Sequence, residues 1–148
     1  ASDVYKRQAL TLARQTLAQA NAALAERFSP RLVREASEIF SELTGGRYAR
    51  VQISRQMKLE AGQPDAAMRR SLFLSGGTAD ELYLSVRLAV CRLLLPEDAP
   101  LLLDDALVMF DDDRLRLALR LLQREAENRQ ILLFTCQHRE QKALTTDL

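Results

Sequence analysis

The sequence predicts an α/β fold, because segments with helical spacing alternate with short and nearly continuous apolar runs. Two such runs, LLL at 101–103 and ILLF at 131–134, each follow a segment whose apolar residues recur every three to four positions. Runs of this kind are typical of strands that are buried on both faces of a parallel sheet. Two helix–strand units in succession therefore predict a largely parallel sheet flanked by helices.

Length and composition set limits on the class of protein. The 148 residues suffice for one domain with a hydrophobic core, and the net charge of +1 neither favours nor excludes a nucleic-acid partner. No apolar run reaches the roughly 20 residues that span a bilayer, so we expect a cytoplasmic protein with no membrane partner. Cys91 and Cys136 lie in apolar runs and are predicted to be reduced core residues, with a disulfide as the less favoured alternative.

The N-terminal segment 9–28 is predicted to be a helix with the seam of a coiled coil. Its apolar residues follow the spacing of a heptad repeat at Leu10, Ala13, Leu17, Ala20 and Leu24. Because only about two and a half heptads are visible, an ordinary amphipathic helix remains the alternative. Residues 1–8 raise another hypothesis, since DVYKRQ reads back as GAT GTG TAT AAG AGA CAG, which resembles a transposon-end sequencing adaptor. We therefore expect 1–8 to be an assembly artefact, with a genuine helical segment as the alternative.

The rest of the chain alternates between helical and extended patterns. Ser29 and Pro30 suit the N-cap and the first position of a new helix, so the sequence predicts a break there and a second helix over 30–44 that ends at Gly45-Gly46. The next elements are predicted to be strand RYARVQIS (47–54), weaker strand MKLE (57–60), turn AGQPD (61–65) and strand or turn AAMRRSLF (66–73). They are followed by helix 78–95, the apolar strand at 101–103, helix 112–128, strand 131–136 and a short helix after 139.

The stretch LSGGT at 74–78 places two glycines directly before a helix. Free N–H groups and the positive end of the helix dipole make such an N-terminus a binding site for anions, above all phosphates. Gly76 and Gly77 would let a phosphate approach the backbone, and Ser75 adds a hydroxyl donor. A plain helix-capping turn explains the same residues, so this stretch alone does not decide between the two interpretations.

Asp104 and Asp105 follow the first buried strand, at the edge of an α/β sheet where ligands bind. Two adjacent carboxylates there are costly to desolvate unless they hold a cation or a positioned water. One can ligate Mg²⁺ while the other orients or deprotonates a water. The alternatives are a turn capped by both residues, or a metal site of the prenyl-transferase DDxxD type, which needs an all-helical setting that the two apolar strands argue against.

In combination, these stretches resemble the C-terminal lobe of an ABC-type ATPase head. LSGGT (74–78) looks like the signature motif, PLLLDD (100–105) like Walker B, FDD (110–112) like the D-loop and TCQHRE (135–140) like the switch-histidine segment. The resemblance spans nearly all of residues 9–140. Within the ABC-type ATPases, the chain most resembles the SMC-like branch, with the SbcC, RecF and RecN repair ATPases and the YhaN-like proteins. It implies that 9–28 is the returning arm of a long coiled coil and that 29–148 is the C-terminal lobe of the head.

The resemblance also implies roles for single residues. In the family the signature motif contacts ATP held by a second head, and the residues that would act in trans in this way are Ser75, Gly76 and Gly77. Leu74 and Thr78, at the ends of the motif, are also expected to belong to the ATP-binding site. Asp111 would span the dimer interface, and Asp104 would be linked to Mg²⁺. Asp105 would take the position of the water-activating acid, which is usually Glu and one methylene longer.

The switch segment departs from the family pattern. Gln137 stands where the switch histidine usually lies, and His138 follows one residue later, so both are candidates for contact with the γ-phosphate. Adjacent residues that leave a strand point in different directions, which keeps the choice between them open. Arg139 is predicted to be a solvated charge.

The chain contains no GxxxxGK[ST] sequence and therefore no P-loop. In the family this motif lies in an N-terminal lobe before the coiled coil, so we expect a truncated protein whose fragment is inactive alone. The implied cofactors are ATP and Mg²⁺. The implied partners are the missing N-terminal lobe, a second head in a homodimer, DNA and a nuclease subunit.

The implied function is ATP hydrolysis between two engaged heads in DNA repair, recombination or chromosome maintenance. Two alternatives stay open on the sequence. One is the nucleotide-binding subunit of an ABC transporter, against which Thr78 and Asp105 argue. The other is a non-catalytic coiled-coil scaffold, against which the intact SGG and DD sequences argue.

Overall fold

The computed structural model describes residues 2–54 and 58–146. Within these residues the chain forms four α-helices, five β-strands and one 3₁₀ helix. The helices are α1 (Ser2–Leu43), α2 (Gly76–Leu94), α3 (Asp112–Glu125) and α4 (His138–Thr146), and the 3₁₀ helix covers Ser71–Phe73. The strands are β1 (Arg50–Ile53), β2 (Leu59–Gly62), β3 (Arg69–Arg70), β4 (Leu101–Asp104) and β5 (Ile131–Phe134).

The chain divides into two compact units, Ala1–Arg31 and Leu32–Leu148. The first unit is helical, and the predicted seam residues Leu10 and Leu17 each expose 71% of their surface on it. Leu24 of the predicted seam lies outside the described side chains. An exposed apolar seam is what a coiled-coil strand presents to its partner helix, but the assignment of 9–28 as a returning arm stays a prediction.

The predicted break at Ser29 and Pro30 is wrong, because α1 continues through Pro30 without interruption. A proline inside a helix removes one backbone hydrogen bond and costs about 3 kcal/mol. The residues after it offset this cost, since Ala36, Phe40 and Leu43 are completely buried. Packing of the segment after Pro30 therefore overrides the local preference of the proline for a helix start.

The end of α1 is set by glycine, as predicted. Gly45 and Gly46 have φ values of +58° and +81°, which side chains with a Cβ rarely adopt. The N–H of Gly46 donates to the carbonyl of Ser41 at 2.7 Å, and the N–H of Gly45 donates to that of Glu42 at 3.1 Å. These bonds satisfy the last carbonyls of the helix and turn the chain towards β1.

The two sheets differ in the direction of their strands. Among the described residues, β1, β2 and β3 form an antiparallel sheet in that order, and β4 pairs with β5 in parallel. The predicted α/β fold class and the strands at the two apolar runs are confirmed. The prediction that these strands are buried on both faces is wrong, since Leu102, Leu132 and Phe134 are exposed. The sequence predicted strands at β1 and β2 without their pairing, and β2 extends over Ala61 and Gly62, which were expected to be in a turn.

The core of the second unit is built from α1, α2 and α3 and from the strands. Its completely or almost completely buried apolar side chains include Ile39, Phe40, Leu82, Leu88, Leu107, Ala118 and Leu121. Arg92 of α2 adds a polar link, because it pairs with Glu35 of α1 at 3.4 Å and with Glu125 of α3. This link joins the C-terminal ends of α2 and α3, whereas the LSGGT and FDD sequences lie at the N-terminal ends of these helices. In the described part of the chain, no helix has both the length and the apolar character needed to cross a membrane.

Candidate functional site

The start of α2 presents backbone N–H groups to solvent. Ser75 is the N-cap residue, with φ −64° and ψ 154°, and both Ser75 and Gly76 are exposed. The Ser75 hydroxyl hydrogen-bonds the Thr78 hydroxyl at 2.9 Å, and within the described structure it makes no capping bond to the helix backbone. The first N–H groups of α2 are therefore left for water or for an anion.

Leu74 and Thr78, at the two ends of the LSGGT sequence, are less exposed to solvent than Ser75 and Gly76. Leu74 follows the 3₁₀ helix and is half-buried, whereas Thr78 is only 4% exposed. The Thr78 hydroxyl accepts a hydrogen bond from Arg114 Nη2 at 3.2 Å in addition to its contact with Ser75. Thr78 thus holds its neighbours in place in this conformation, and its contact with ATP stays a prediction.

Gly77 lies against the segment that joins β4 to α3. A Cβ at this position would lie 3.1 Å from the carbonyl oxygen of Met109 and 3.0 Å from Arg114 Nη1. A Cβ at Gly76 would lie 3.7 Å from Met109 Cε, which is an ordinary van der Waals contact. The second glycine therefore packs tightly within the chain, and a side chain there would have to displace its neighbours, a reason that the sequence did not reveal.

We expect Gly77→Ala to destabilise the chain by about 1–3 kcal/mol, because the new methyl group meets a backbone carbonyl and a hydrogen-bonded guanidinium. Gly76→Ala is the matched control. Its methyl group has room, and alanine forms helix better than glycine, so stability should stay the same or rise. Chemical denaturation of both variants measures the difference, and equal stability would contradict the packing role of Gly77.

Arg114 joins the start of α2 to the start of α3. Its backbone N–H donates to Asp111 Oδ1 at 2.9 Å, and its Nη1 donates to Asp111 Oδ2 at 2.5 Å. Its Nη2 donates to Thr78, and its Nε lies 3.2 Å from Glu81 Oε1. One guanidinium therefore contacts two of the predicted site residues, Thr78 and Asp111, and Ser75 is joined to them by its hydrogen bond to Thr78.

The pKa values of two carboxyl groups beside Arg114 are shifted in opposite directions. Burial raises the pKa of Glu81 to about 7, although Arg114 opposes the shift. Arg114 Nε is within ion-pair distance, but no described residue gives Glu81 Oε1 a well-formed hydrogen bond. The backbone N–H of Arg114 lowers the pKa of Asp111. Asp111 therefore stays ionised near neutral pH, whereas Glu81 changes its charge there.

A small cleft adjoins this cluster. It has a volume of about 120 Å³ and is lined by Glu81, Asp111 and Arg114 together with Arg47 and Tyr48. Ligand pockets usually measure about 300–1,000 Å³. The cleft therefore does not enclose a nucleotide by itself.

The two predicted catalytic carboxylates lie where β4 ends beside β5. Asp104 is the last residue of β4, and Asp105 follows it with a left-handed φ of +46°. Both side chains are exposed. The N–H of Asp105 donates to the carbonyl of Phe134 at 2.9 Å, and its Oδ1 accepts from the N–H of Cys136 at 3.2 Å. The predicted acid and the predicted switch segment are thus in direct contact.

The switch segment leaves β5 beside Asp105. Cys136 is exposed, so the prediction that it is a core residue is wrong; it lies beyond the end of β5, none of whose four residues is fully buried. Gln137 is half-buried, with its N–H donated to Thr135 Oγ1 at 3.1 Å, and His138 is exposed as the first residue of α4. Neither side chain is excluded from a ligand by this arrangement, so the choice between them stays open.

Sequence reasoning missed three charged residues, namely Glu81, Arg114 and Arg139. Glu81 left a signal, because it falls on the same helical face as the buried Thr78 and Ser85, and a charged residue on a buried face needs a partner. The prediction that Arg139 is a solvated charge is wrong, since its guanidinium donates to backbone carbonyls of the segment between β4 and α3.

No protein-family model matches the chain. The chain is 36% identical over 110 residues to the uncharacterized protein YhaN of Bacillus subtilis strain 168. The match covers 72% of the chain but only 11% of YhaN, so the chain spans a small part of the length of this relative.

Solved SMC heads share the fold. A structure from work on ATP-driven dimerization and DNA-stimulated activation of SMC ATPases has a TM-score of 0.68 at 18% identity, covering 82% of this chain and 76% of that one. The Smc head domain of Pyrococcus furiosus, with an extended coiled coil and bound to the C-terminal domain of ScpA, has a TM-score of 0.62 at 18% identity, covering 93% and 38%. The SMC head domain of Thermotoga maritima has a TM-score of 0.61 at 18% identity, covering 76% and 40%.

These likenesses bear on the alternatives that the sequence left open. They favour neither the transporter subunit nor the non-catalytic scaffold, and the predicted resemblance to SMC-like heads is confirmed. The chain therefore has the fold of the C-terminal lobe of SMC head domains.

Proposed function

We propose that the chain is the C-terminal half of an SMC-like ATPase that binds and hydrolyses ATP between two engaged heads. The observation that carries the proposal is the exposed N-terminus of α2, which Arg114 ties to Asp111 on a fold shared with SMC heads. Free N–H groups at Ser75 and Gly76 would bind a phosphate of ATP. Because the chain has no P-loop sequence, that ATP would be held by the N-terminal lobe of a second head.

The carboxylate of Asp104 suits Mg²⁺. Among the described residues, no three His, Cys, Asp or Glu side chains are grouped so that they could hold a metal ion by themselves. Mg²⁺ commonly takes one or two carboxylates from the protein and completes its coordination with phosphates and water. Asp104, exposed at the end of β4, would be such a ligand, and the ion would neutralise charge on the phosphates.

Asp105 would orient the attacking water and accept its proton. Its Oδ1 accepts a hydrogen bond from the backbone N–H of Cys136, which leaves Oδ2 for the water. Gln137 or His138, in the segment that follows Cys136, would contact the γ-phosphate. The contact between Asp105 and Cys136 supports this assignment because it brings the acid and the switch segment to the same edge of the sheet.

The cellular role is the finer part of the proposal. We propose DNA repair, recombination or chromosome maintenance, with DNA as a ligand of the full-length protein and a nuclease subunit as a candidate partner. The support is the resemblance of the motifs to repair ATPases and the likeness of the fold to SMC ATPases whose activation is described as DNA-stimulated. Measuring the ATPase rate of the full-length protein with and without duplex DNA tests this part alone.

We expect Ser75→Arg to abolish ATP-dependent dimerisation of heads in the full-length protein. The arginine side chain would occupy the space at the start of α2 where the γ-phosphate of the opposite head binds. Because Ser75 is exposed and makes no capping bond to the backbone within the described structure, the substitution should leave the fold intact. Light scattering on a size-exclusion column, with a non-hydrolysable ATP analogue, measures the dimer.

Two further variants control this experiment. Ser75→Ala removes the hydroxyl without adding bulk and should weaken dimerisation less than Ser75→Arg does. Gln123→Arg adds the same side chain at an exposed position near the C-terminal end of α3 and should dimerise as the wild type does. Normal dimerisation of Ser75→Arg would refute the contact in trans.

A further inference from the structure

Arg139, in the first turn of α4, holds three carbonyl groups of the segment Leu107–Phe110. Its Nη1 donates to the carbonyl of Phe110 at 2.6 Å, and its Nη2 donates to those of Val108 at 3.0 Å and Leu107 at 3.2 Å. The side chain is 30% exposed, so the guanidinium is partly withdrawn from water. Hydrogen bonds with a charged donor are roughly twice as strong as neutral ones, so this contact restrains the segment.

The charges around Arg139 hold its guanidinium at this place. Its Nε lies 3.6 Å from Glu140 Oε1, and its Nη1 lies 3.9 Å from Asp112 Oδ1. The side chain of Glu140 is 2% exposed, and within the described chain neither of its carboxylate oxygens has a hydrogen-bond partner. A buried carboxylate in this situation relies on the nearby positive charge. Arg139 and Glu140 therefore stabilise each other next to the restrained segment.

The opposite side of the same segment faces the start of α2. The carbonyl of Met109, inside the segment, is the group that a Cβ at Gly77 would meet at 3.1 Å. Asp111 follows the segment directly, and Arg114 binds it. Together with Asp111, Leu107–Phe110 forms the segment 107–111, which is bounded by Arg139 on one side and by Gly77 and Arg114 on the other.

We propose that Arg139 is a positioning residue that fixes the segment 107–111, and so links the switch segment to the start of α2. Its geometry stands independently of any activity, but its consequence for ATP rests on the proposed function. A ligand that moves the switch segment would move Arg139 with it. The three carbonyls would follow, and the position of Asp111 at the head–head interface would change.

Hydrogen exchange of the full-length protein without nucleotide tests the geometry. The N–H of Val108 donates to the carbonyl of Asp105 and the N–H of Phe110 donates to that of Leu107, so their exchange reports the opening of this part of the chain. In Arg139→Ala we expect peptides over 107–111 to exchange roughly tenfold faster or more, because charge-assisted bonds are lost. Arg139→Lys keeps the charge but presents one nitrogen to three carbonyls, so it should fall between Arg139→Ala and the wild type.

Gln141→Ala, at an exposed position of the same helix, should leave exchange over 107–111 unchanged. Unchanged exchange there in Arg139→Ala, or an equal rise throughout the chain, would overturn the proposal. Should Arg139→Ala fail to fold, Arg139→Lys decides, since faster exchange confined to 107–111 supports the proposal and unchanged exchange overturns it.

ATP hydrolysis by the same variants tests the functional consequence. Misplacing a reacting group by about 1 Å can cost roughly a hundredfold in rate, so we expect kcat of Arg139→Ala to fall by roughly ten- to a hundredfold while KM for ATP changes far less. An unchanged kcat would overturn the link to the active site. A wild-type protein without ATPase activity would instead refute the proposed function, and the exchange result would still decide whether Arg139 fixes the segment.

Discussion

Arg114→Ala should destabilise the chain by about 3–5 kcal/mol at pH 8, the range expected when one partner of a buried ion pair is removed. The Glu81 side chain is 2% exposed and has Arg114 as its ion-pair partner in the described structure. Without the guanidinium, Glu81 would be a buried carboxylate with only the weaker field of Arg47 as counter-charge. The Thr78 hydroxyl and the Asp111 carboxylate would lose a donor as well. Chemical denaturation measures the loss.

The loss should depend on pH because Glu81 can take up a proton. Its pKa is raised from 4.5 to about 7 in the folded chain, so between these values the folded state binds a proton that the unfolded state does not. The contribution of this group to stability is therefore greatest below about pH 4.5 and is lost as the pH rises to about 7. Removing Arg114 raises this pKa further, so Arg114→Ala should cost clearly less at about pH 5.5 than at pH 8.

Two comparisons isolate the ion pair from the rest of the side chain. Glu81→Gln in the Arg114→Ala background removes the unpaired charge and should restore part of the stability at pH 8. Arg116→Ala, in the same helix, removes an exposed pair with Asp113 and should cost no more than about 0.5 kcal/mol. An Arg114→Ala variant that is as stable as Arg116→Ala, or whose deficit does not change with pH, would contradict the role of Arg114.

The fold could be predicted where the pattern along the sequence is local. The apolar runs predicted the strands β4 and β5, and the glycines at 45 and 46 predicted the end of α1, because a left-handed backbone favours glycine. The apolar runs did not predict burial correctly, since Leu102 and Phe134 are exposed. The continuation of α1 through Pro30 could not be predicted. The local preference of proline favours a helix start, and the burial of Phe40 and Leu43 that outweighs it depends on the rest of the core.

In the site, too, the local patterns could be predicted and the contacts between distant residues could not. Asp104 and Asp105 could be placed at a strand end from sequence alone, since the strand itself is a local pattern. The contact of Arg114 with Glu81 could not, because it depends on how α2 packs beside α3. The contact of Arg139 with three carbonyls depends on the shape of a turn that no residue type specifies. The predicted ligand contacts lie on local motifs, and the side chains that position them come from distant parts of the sequence.

Asp105→Asn should slow ATP hydrolysis by the full-length protein roughly 10²–10⁴-fold, the usual contribution of a general base, while ATP binding stays intact. The structure makes this variant a clean test of chemistry. Asp105 has a left-handed backbone with φ +46°, a conformation that asparagine adopts readily. The amide oxygen of asparagine can also keep the hydrogen bond from the N–H of Cys136. The fold around the strand end should therefore stay unchanged, and only the basicity is lost.

Other substitutions at this position would confuse the result. Alanine would lose the acceptor for Cys136 and strain the left-handed backbone by about 1–2 kcal/mol, so a slow Asp105→Ala variant could reflect a displaced switch segment. Asp98→Asn, in the exposed loop before β4, is the matched control and should hydrolyse ATP at the wild-type rate. Single-turnover rates together with nucleotide affinities separate the outcomes. An unchanged rate in Asp105→Asn would mean that another residue activates the water, and a loss of ATP affinity would mean that Asp105 acts in binding rather than in proton transfer.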